Sequence, residues 1–540
     1  MSASASAAVP DNTPIIVGVA QCVEHVNDGA QPPFTSPIDL AGTAAQKALA
    51  DAGAAADEID TVAVIRFFAD AAKAWASPFG VSNNPPESVA RRIGASPRDR
   101  IYSNASGAQP LQMLMEMLLD IARGERGMVL LAGAEAIANQ RYALRNQLQD
   151  DWNEHFDVPL DNREYLRRMA SMEEIRSGLL MPAHYYALIE NYQAHALGHD
   201  GDQHRQHMAQ LMAPFSRVAA ANPYSHSPNA YTADELAQVN RGNYLISHPL
   251  SKLLVAQDAV NQSAALLVTS AGRARQLGID PSQWIFIEAY AEGEDCYLTQ
   301  REDVGRSAAM EQVFDATLEM AQAGADSMSL LDIYSCFPCA VHAARCALGI
   351  SADDCRGLTV TGGLPYFGGP GNNYVTHALA EMAVRLRGSE DRGLITANGG
   401  ILSKHAAAVL SNQAQRAAAI DWAHYTPITV EPQSIAARPY AAEPHSGSVI
   451  SYTVIIGRDA PDVGVVLCED AEGARFLASS SDSAITASML VGSPIGRTVK
   501  VTTAEDRHAF TINQSALHNR RPPALSAAQI RLGGKAAQTR

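Results

Sequence analysis

A strand, a helix, a second strand, a special turn, another helix and a further strand follow one another twice in this chain, about 260 residues apart. The first pass runs PIIVGVA (14–20), SPIDLAGTAAQKALADAG, IDTVAVI (59–65), RIYSNASG (100–107), AQPLQMLMEMLLDIARG (108–124) and GMVLLAGAEA (127–136). The second runs WIFIEAYAEG (284–293), AMEQVFDATLEMAQAG (309–324), LLDIYSCF (330–337), GLTVTGG (357–363), the turn GGPGNNYVT, HALAEMAVRLRG (377–388) and GLITANGG (393–400). Short apolar, β-branched runs read as buried strands. Ser36 is the expected N-cap of the first helix, which has Pro at its first position and Gly at its end. A repeat this long is a duplicated domain and not a solenoid. Strands and helices in alternation imply mixed α/β layers.

The 540 residues exceed one hydrophobic core, so two or three units are expected. Residues 13–270 form the first half, and 271–425 the second. Inside the first, about 140–260 turns rich in His, Arg, Tyr and Met and reads as a helical insertion. NQSAALLVTS (261–270) then returns to the core as a strand. From 430 to 513 short alternating strands with Gly, Pro and Asp turns predict a small β-barrel of the OB type. Residues 1–12 and the basic stretch 514–540 read as tails.

Lys and Arg number 41 against 57 Asp and Glu, a net charge of -16, which disfavours nucleic-acid binding. Seven cysteines, an odd number, fit a reducing compartment. The N-terminus lacks the basic and apolar regions of a signal peptide, and no run is long enough to span a membrane. A cytoplasmic protein without membrane contact is the expectation. Cys336 and Cys339 have metal-ligand spacing but Cys346 and Cys355 do not, so no metal site is expected. The histidines of HYYALIENYQAHALGHDGDQHRQHM fall on several helix faces, which reads as a solvated helix pair. The glycines of GGLPYFGGPG lack the Lys-Ser/Thr ending of a phosphate loop.

With the turns NASG, YSCF, GGPGNN and ANGG placed where they are, residues 13–425 resemble a thiolase core. The segment from Tyr185 to Ser225 resembles the loop domain of sterol-carrier-protein thiolases. GGLPYFGGPGNNYVTHAL and the added β domain are similar to bacterial thiolase-like proteins of type 1. The resemblance implies a duplicated thiolase fold with α-β-α-β-α layers and an acetyl-CoA acetyltransferase-like activity on a coenzyme A thioester. No further cofactor is implied, and a homodimer or a partner enzyme is a possible assembly.

All four family motifs depart from the family's chemistry. Where the nucleophilic cysteine belongs stands Asn104, whose amide cannot form an acyl-enzyme. It reads as an N-cap of the 108–124 helix or as a partner for a thioester oxygen. The second motif is Tyr334-Ser335-Cys336-Phe337. Tyr334 is a candidate general acid, or a packing residue in the sheet. The resembling steroid side-chain aldolases also lack the nucleophile and use tyrosines. Cys336 is a candidate displaced nucleophile, or simply a small buried hydrophobe. In the third motif the imidazole is missing: Gly368-Gly369-Pro370 is followed by Asn372 and Asn373, and Gly369 and Asn373 are candidate substrate contacts. The fourth motif places Ala397 or Asn398 at the cysteine's position, followed by Gly399, whose neighbourhood offers amides to a thioester oxygen. His405 is the nearest base beyond it. From the loop region, the resemblance implies that Ser247 and Lys252 meet coenzyme A.

Three functions follow. The first is non-covalent retro-aldol or retro-Claisen chemistry on an acyl-CoA, with Tyr334 as proton donor. The second is an inactive acyl-CoA-binding or partner-docking protein, and the third a thiolase rescued by Cys336.

Overall fold

In the computed structural model, residues 9–163, 169–351, 354–504 and 507–512 are described. The first half supplies β1 (Pro14–Val23), β2 (Thr61–Val64), β3 (Asp99–Tyr102), β4 (Met128–Ala136) and β5 (Asp161–Asn162). After the insertion, which ends in the hairpin β6 (Leu245–Ser247) and β7 (Leu250–Ser251), comes β8 (Asn261–Ser270). They assemble in the order β1-β8-β4-β2-β3-β5. β4 is buried along its whole length, as a run that is apolar but for Glu135 requires of a strand covered on both faces.

The second half supplies β9 (Phe286–Glu294), β10 (Leu330–Asp332), β11 (Arg392–Gly399), β12 (Lys404–Ser411) and β13 (Ile428–Val430). Their order is β10-β11-β12-β9-β13, so β9-β12-β11-β10 repeats the path of β1-β8-β4-β2. The duplication read from the sequence is therefore a structural one. Because β13 lies on β9, the second half runs to residue 430.

Helices Gln109–Ala122 and Tyr374–Leu386 touch each other and strands of both sheets, forming the middle layer. The first buries ten of its fourteen residues, from Pro110 to Ala122, and so has no broad polar face to give to water. Outside them, Pro37–Ala52 packs on the first sheet and Ala308–Met320 on the second. Ser36 caps its helix as expected, accepting from Asp39 N at 3.1 Å, and Gly53 ends it at φ 65°.

Several expectations need correction. GLTVTGG forms no strand. Its Thr359–Thr361 backbone and hydroxyls instead wrap the buried carboxylate of Asp332, which accepts from Val360 N and Thr361 N at 3.0 and 3.1 Å. That wrapping uses the donors a ladder would need. Residues 9–12 are not a loose tail, since Val9 is 3% exposed in the core and Asp11 pairs with Arg275 at 2.5 Å. Residues 1–8 and 513–540, and with them the basic stretch, lie outside the described residues.

The insertion is mainly helical, with its longest helices at Pro182–Ala196 and Gly201–Ala221. The C-terminal unit is a closed five-stranded barrel of β14 (Ser446–Ile455), β15 (Val463–Glu469), β16 (Arg475–Ser480), β17 (Thr498–Ala504) and β18 (Arg507–Thr511). A helix, Ser483–Val491, lies between β16 and β17, so the unit is not all-β. Nor is it a separate appendage: β14 pairs with β6 at Ile455↔Ser247, which fuses barrel and insertion into one sheet.

Candidate active site

The four motif turns meet at one end of a cavity of about 1260 Å³. Tyr334, Cys336, Gly369, Asn398 and Gly399 all line it. Each sits where a strand of the second half ends or where an irregular turn replaces it, a position that leaves side chains clear of the ladder. Glycine is required at the contact between the halves. A Cβ on Gly399 would overlap Ser106 Oγ, and one on Gly107 would overlap the Asn398 carbonyl and the Tyr334 hydroxyl. The Tyr334 hydroxyl thus lies directly over the NASG turn.

Tyr186, from the insertion, organises this wall. Its ring stacks on Phe337 with centroids 4.2 Å apart. Its hydroxyl accepts from Asn398 Nδ2 and from Leu402 N, both at 2.9 Å, and donates to the Gly400 carbonyl at 3.3 Å. Asn398 Nδ2 also reaches Cys336 Sγ at 3.5 Å, while Asn398 Oδ1 is buried with no partner among the described residues. Ala397 is in the core instead, so Asn398 is the fourth-motif side chain that the cavity meets. Tyr186 was missed by sequence reasoning, because nothing local links a helix in an insertion to a turn two hundred residues on.

Cys336 is a thiol, not a thiolate. Burial pushes it up to about 12, with the hydrogen bonds from Tyr186 and Asn398 only partly opposing. At neutral pH the nucleophilic thiolate is therefore disfavoured. Burial, and then the neighbouring Cys336, also raises Tyr334, so its hydroxyl keeps its proton and can donate it.

Other expected site residues lie elsewhere. Asn104 is no N-cap: Ala108 holds that position, and Ser106 Oγ accepts from its N–H at 3.2 Å. Asn104 faces a second, polar cavity of about 370 Å³, which shares Ala105, Ser106 and Lys404 with the first, and its Oδ1 is buried without a partner among the described residues. His405 is sealed away from both cavities. It lies opposite Asn398 in the β11–β12 ladder but under the 295–307 segment, bonded to Ser307 Oγ at 2.9 Å and the Leu402 carbonyl at 3.1 Å. Burial lowers it to about 4.

Ser247 is fully buried, with its hydroxyl 2.8 Å from Thr453 Oγ1 of the barrel. Lys252 donates to Gln257 Oε1 at 2.7 Å and does not line the cavity. Asn373 is tied to Thr376 at 2.6 Å inside the core, whereas its neighbour Asn372 lines the cavity and donates to the Arg66 carbonyl at 2.9 Å. The histidines do not form a solvated pair of helices. His199, His204 and His207 gather with His342, and His204 Nε2 bonds Glu190 at 2.9 Å.

A second residue the sequence reading passed over is Glu135, at the end of β4. It lines the cavity at 2% exposure and lies against the third-motif turn, where a Cβ on Gly371 would overlap its Oε1. The signal was present: it is the one charged residue in the otherwise apolar run GMVLLAGAEA.

Two mixed sheets enclosing a pair of buried helices, with four turns meeting at their ends, define a thiolase fold. Solved structures agree. An SCP2-thiolase-like protein type 1 from Mycobacterium smegmatis, a monomer, is 32% identical over 94% of this chain and 100% of its own, with a TM-score of 0.77. An acetyl-CoA acetyltransferase from Syntrophomonas wolfei (15% identical, 75% of this chain and 100% of that one, TM-score 0.53) shares the fold. So does an Ltp2–ChsH2(DUF35) aldolase (18% identical, 74% and 98%, TM-score 0.51). No family model and no curated protein matches the sequence. On the first of these comparisons the chain belongs to the SCP2-thiolase-like proteins of type 1, in the thiolase superfamily.

Proposed function

We propose that this protein cleaves or forms a carbon–carbon bond in an acyl thioester without a covalent acyl-enzyme. The observation that carries this is the inner wall of the large cavity. A protonated tyrosine and an asparagine stand there, and the one thiol present is buried and held uncharged. In the cleavage direction, a β-hydroxyacyl thioester loses its hydroxyl proton, the Cα–Cβ bond breaks, and Tyr334 protonates the resulting thioester enolate at Cα. Backbone amides around Gly399 and Gly107, which line the cavity, are the donors this reading assigns to the thioester oxygen.

The acyl group is bulky and apolar. Phe67, Phe68, Leu179 and Tyr185 line the cavity, and its rim includes Leu180 and Met181, which are 67% and 47% exposed. The thioester's carrier is coenzyme A by likeness to the superfamily, held by contacts other than Ser247 and Lys252. Among the described residues no helix is long and apolar enough to cross a membrane; the compartment proposed for the reaction is the cytoplasm, which the odd number of cysteines supports.

Tyr334→Phe tests the assignment: turnover of a β-hydroxyacyl-CoA falls about 10²–10⁴-fold with binding retained. Unchanged turnover would remove Tyr334 from the chemistry.

One observation favours a second reading, a protein that binds an acyl thioester without turning it over. The barrel occupies the surface of Ser247, which the resemblance assigns to coenzyme A. Micromolar binding with no turnover of any β-hydroxyacyl-CoA would select it.

A further inference from the structure

Among the described residues three carboxyl groups line the large cavity: Asp70, Glu135 and Asp258. Two have polar or charged side-chain partners. Asp258 pairs with Arg141 at 2.6 Å. Burial raises Asp70, opposed in part by the Tyr102 hydroxyl, which donates to it at 2.6 Å, and by the Arg66 guanidinium. Glu135 has neither. Among the described residues its one hydrogen bond is from the Phe68 backbone N–H to Oε1 at 2.7 Å, and it is 2% exposed. A buried carboxylate with one neutral donor does not repay the cost of its charge, so it holds a proton until well above the usual range. The groups facing it act in the same direction. Burial is the largest cause, Asp70 and Asp258 repel a second negative charge, and the Phe68 N–H only partly opposes, bringing Glu135 to about 8. Of the cations that line the cavity among the described residues, Arg141 pairs with Asp258, Arg66 is held by the Ser103 and Arg163 carbonyls and by Asn162, and Lys404 stands by the Gly399 turn.

We infer that Glu135 is the proton acceptor of the reaction in this cavity, taking the hydroxyl proton of a β-hydroxyacyl thioester as the Cα–Cβ bond breaks. The inference rests on the lyase reading and supplies the base that this reading lacks, since Tyr334 gives a proton and His405 is sealed away. The step balances. The substrate O–H bond breaks, its proton moves to Glu135, and its electron pair forms the carbonyl of the leaving aldehyde or ketone. The Cα–Cβ pair becomes the enolate, which takes the Tyr334 proton at Cα. Transfer of the proton from Glu135 to the tyrosinate through water restores both groups. No oxidant, reductant or further reactant enters. Position supports the role: Glu135 lies against the turn at Gly371 and lines the same cavity as Tyr334.

The test compares wild type, Glu135→Gln and Glu135→Asp. Glutamine keeps an acceptor for the Phe68 N–H, and thermal melting checks that each variant folds. First, the carboxyl signals of ¹³C-glutamate-labelled protein are titrated by NMR. A resonance titrating near pH 8 that is lost in Glu135→Gln is expected, and its absence overturns the inference. Second, release of the carbonyl product from a panel of branched and long-chain β-hydroxyacyl-CoA esters is followed against pH. Wild-type kcat is expected to rise to about pH 8 and level off, Glu135→Gln to lose 10²-fold or more together with that limb, and Glu135→Asp to recover part of it. Active wild type with an equally active Glu135→Gln overturns Glu135 alone. No turnover by wild type overturns the lyase reading and with it the base assignment.

Discussion

Replacing Tyr186 by Phe tests how the inner wall is held. The substitution keeps the ring on Phe337 and removes one oxygen, so packing changes little. Three hydrogen bonds disappear, and two buried donors, Leu402 N–H and Asn398 Nδ2, lose an acceptor. Asn398 Nδ2 keeps its long contact to Cys336 Sγ, which softens its loss. Leu402 has no such substitute and sits at φ 51°, a backbone conformation that a leucine adopts only when its surroundings hold it there. At about 1–3 kcal/mol for each orphaned buried donor, the expected loss is about 2–4 kcal/mol, a large part of an ordinary stability margin. Urea unfolding read by tryptophan fluorescence, with the slope checked for constancy, gives the shift in midpoint. A double-mutant cycle with Asn398→Ala should show coupling of about 1 kcal/mol or more. A loss below about 0.5 kcal/mol, or no coupling, would refute the claim that Tyr186 fixes the fourth-motif turn.

Cys336→Ala should leave turnover within about threefold, with the wild-type thiol resistant to iodoacetamide at neutral pH in the folded state; kinetics and peptide mapping check both. Ser247→Ala should cost about 0.5–1.5 kcal/mol through its lost bond to Thr453 while acyl-CoA affinity stays the same, as calorimetry and urea unfolding would show. Acid should destabilise the fold through His342, which burial, then His207 and Arg345, lower from 6.5 to about 4. Between those values the unfolded chain binds the proton and the folded chain does not, so stability is present above pH 6.5 and falls as pH drops towards 4. The loss from His342 is at most about 3 kcal/mol, and less from the partly exposed His207. The gap between urea midpoints at pH 7 and 5 should narrow in His342→Gln, with the remainder kept by the other buried histidines such as His248 and His377.

Most of the fold was legible because buried strands write themselves as continuous apolar runs: NQSAALLVTS is β8 from first residue to last. GLTVTGG shows the limit, since an apolar run of strand-like composition was captured by a buried carboxylate contributed from 27 residues away. The motif turns located the site, because their glycines mark where the two halves touch. What the sequence concealed are the long-range partners. Tyr186 acts on a turn distant in sequence, and Ser247 is spoken for by a strand of another domain. His405 is adjacent in sequence to a cavity residue and is walled off by a third segment. Periodicity and spacing carry no information about such contacts. A lone acid in an apolar strand does, and Glu135 was readable on that ground.

The central claim is chemistry without a covalent acyl-enzyme. Its most direct test is the intact mass of the protein after incubation with acetoacetyl-CoA and, separately, with a bulky β-hydroxyacyl-CoA, with the carbonyl product assayed in the same tubes. The account predicts an unmodified mass in both, and carbonyl release from the β-hydroxyacyl ester that is lost in Tyr334→Phe. An acyl adduct that disappears in Cys336→Ala would contradict it.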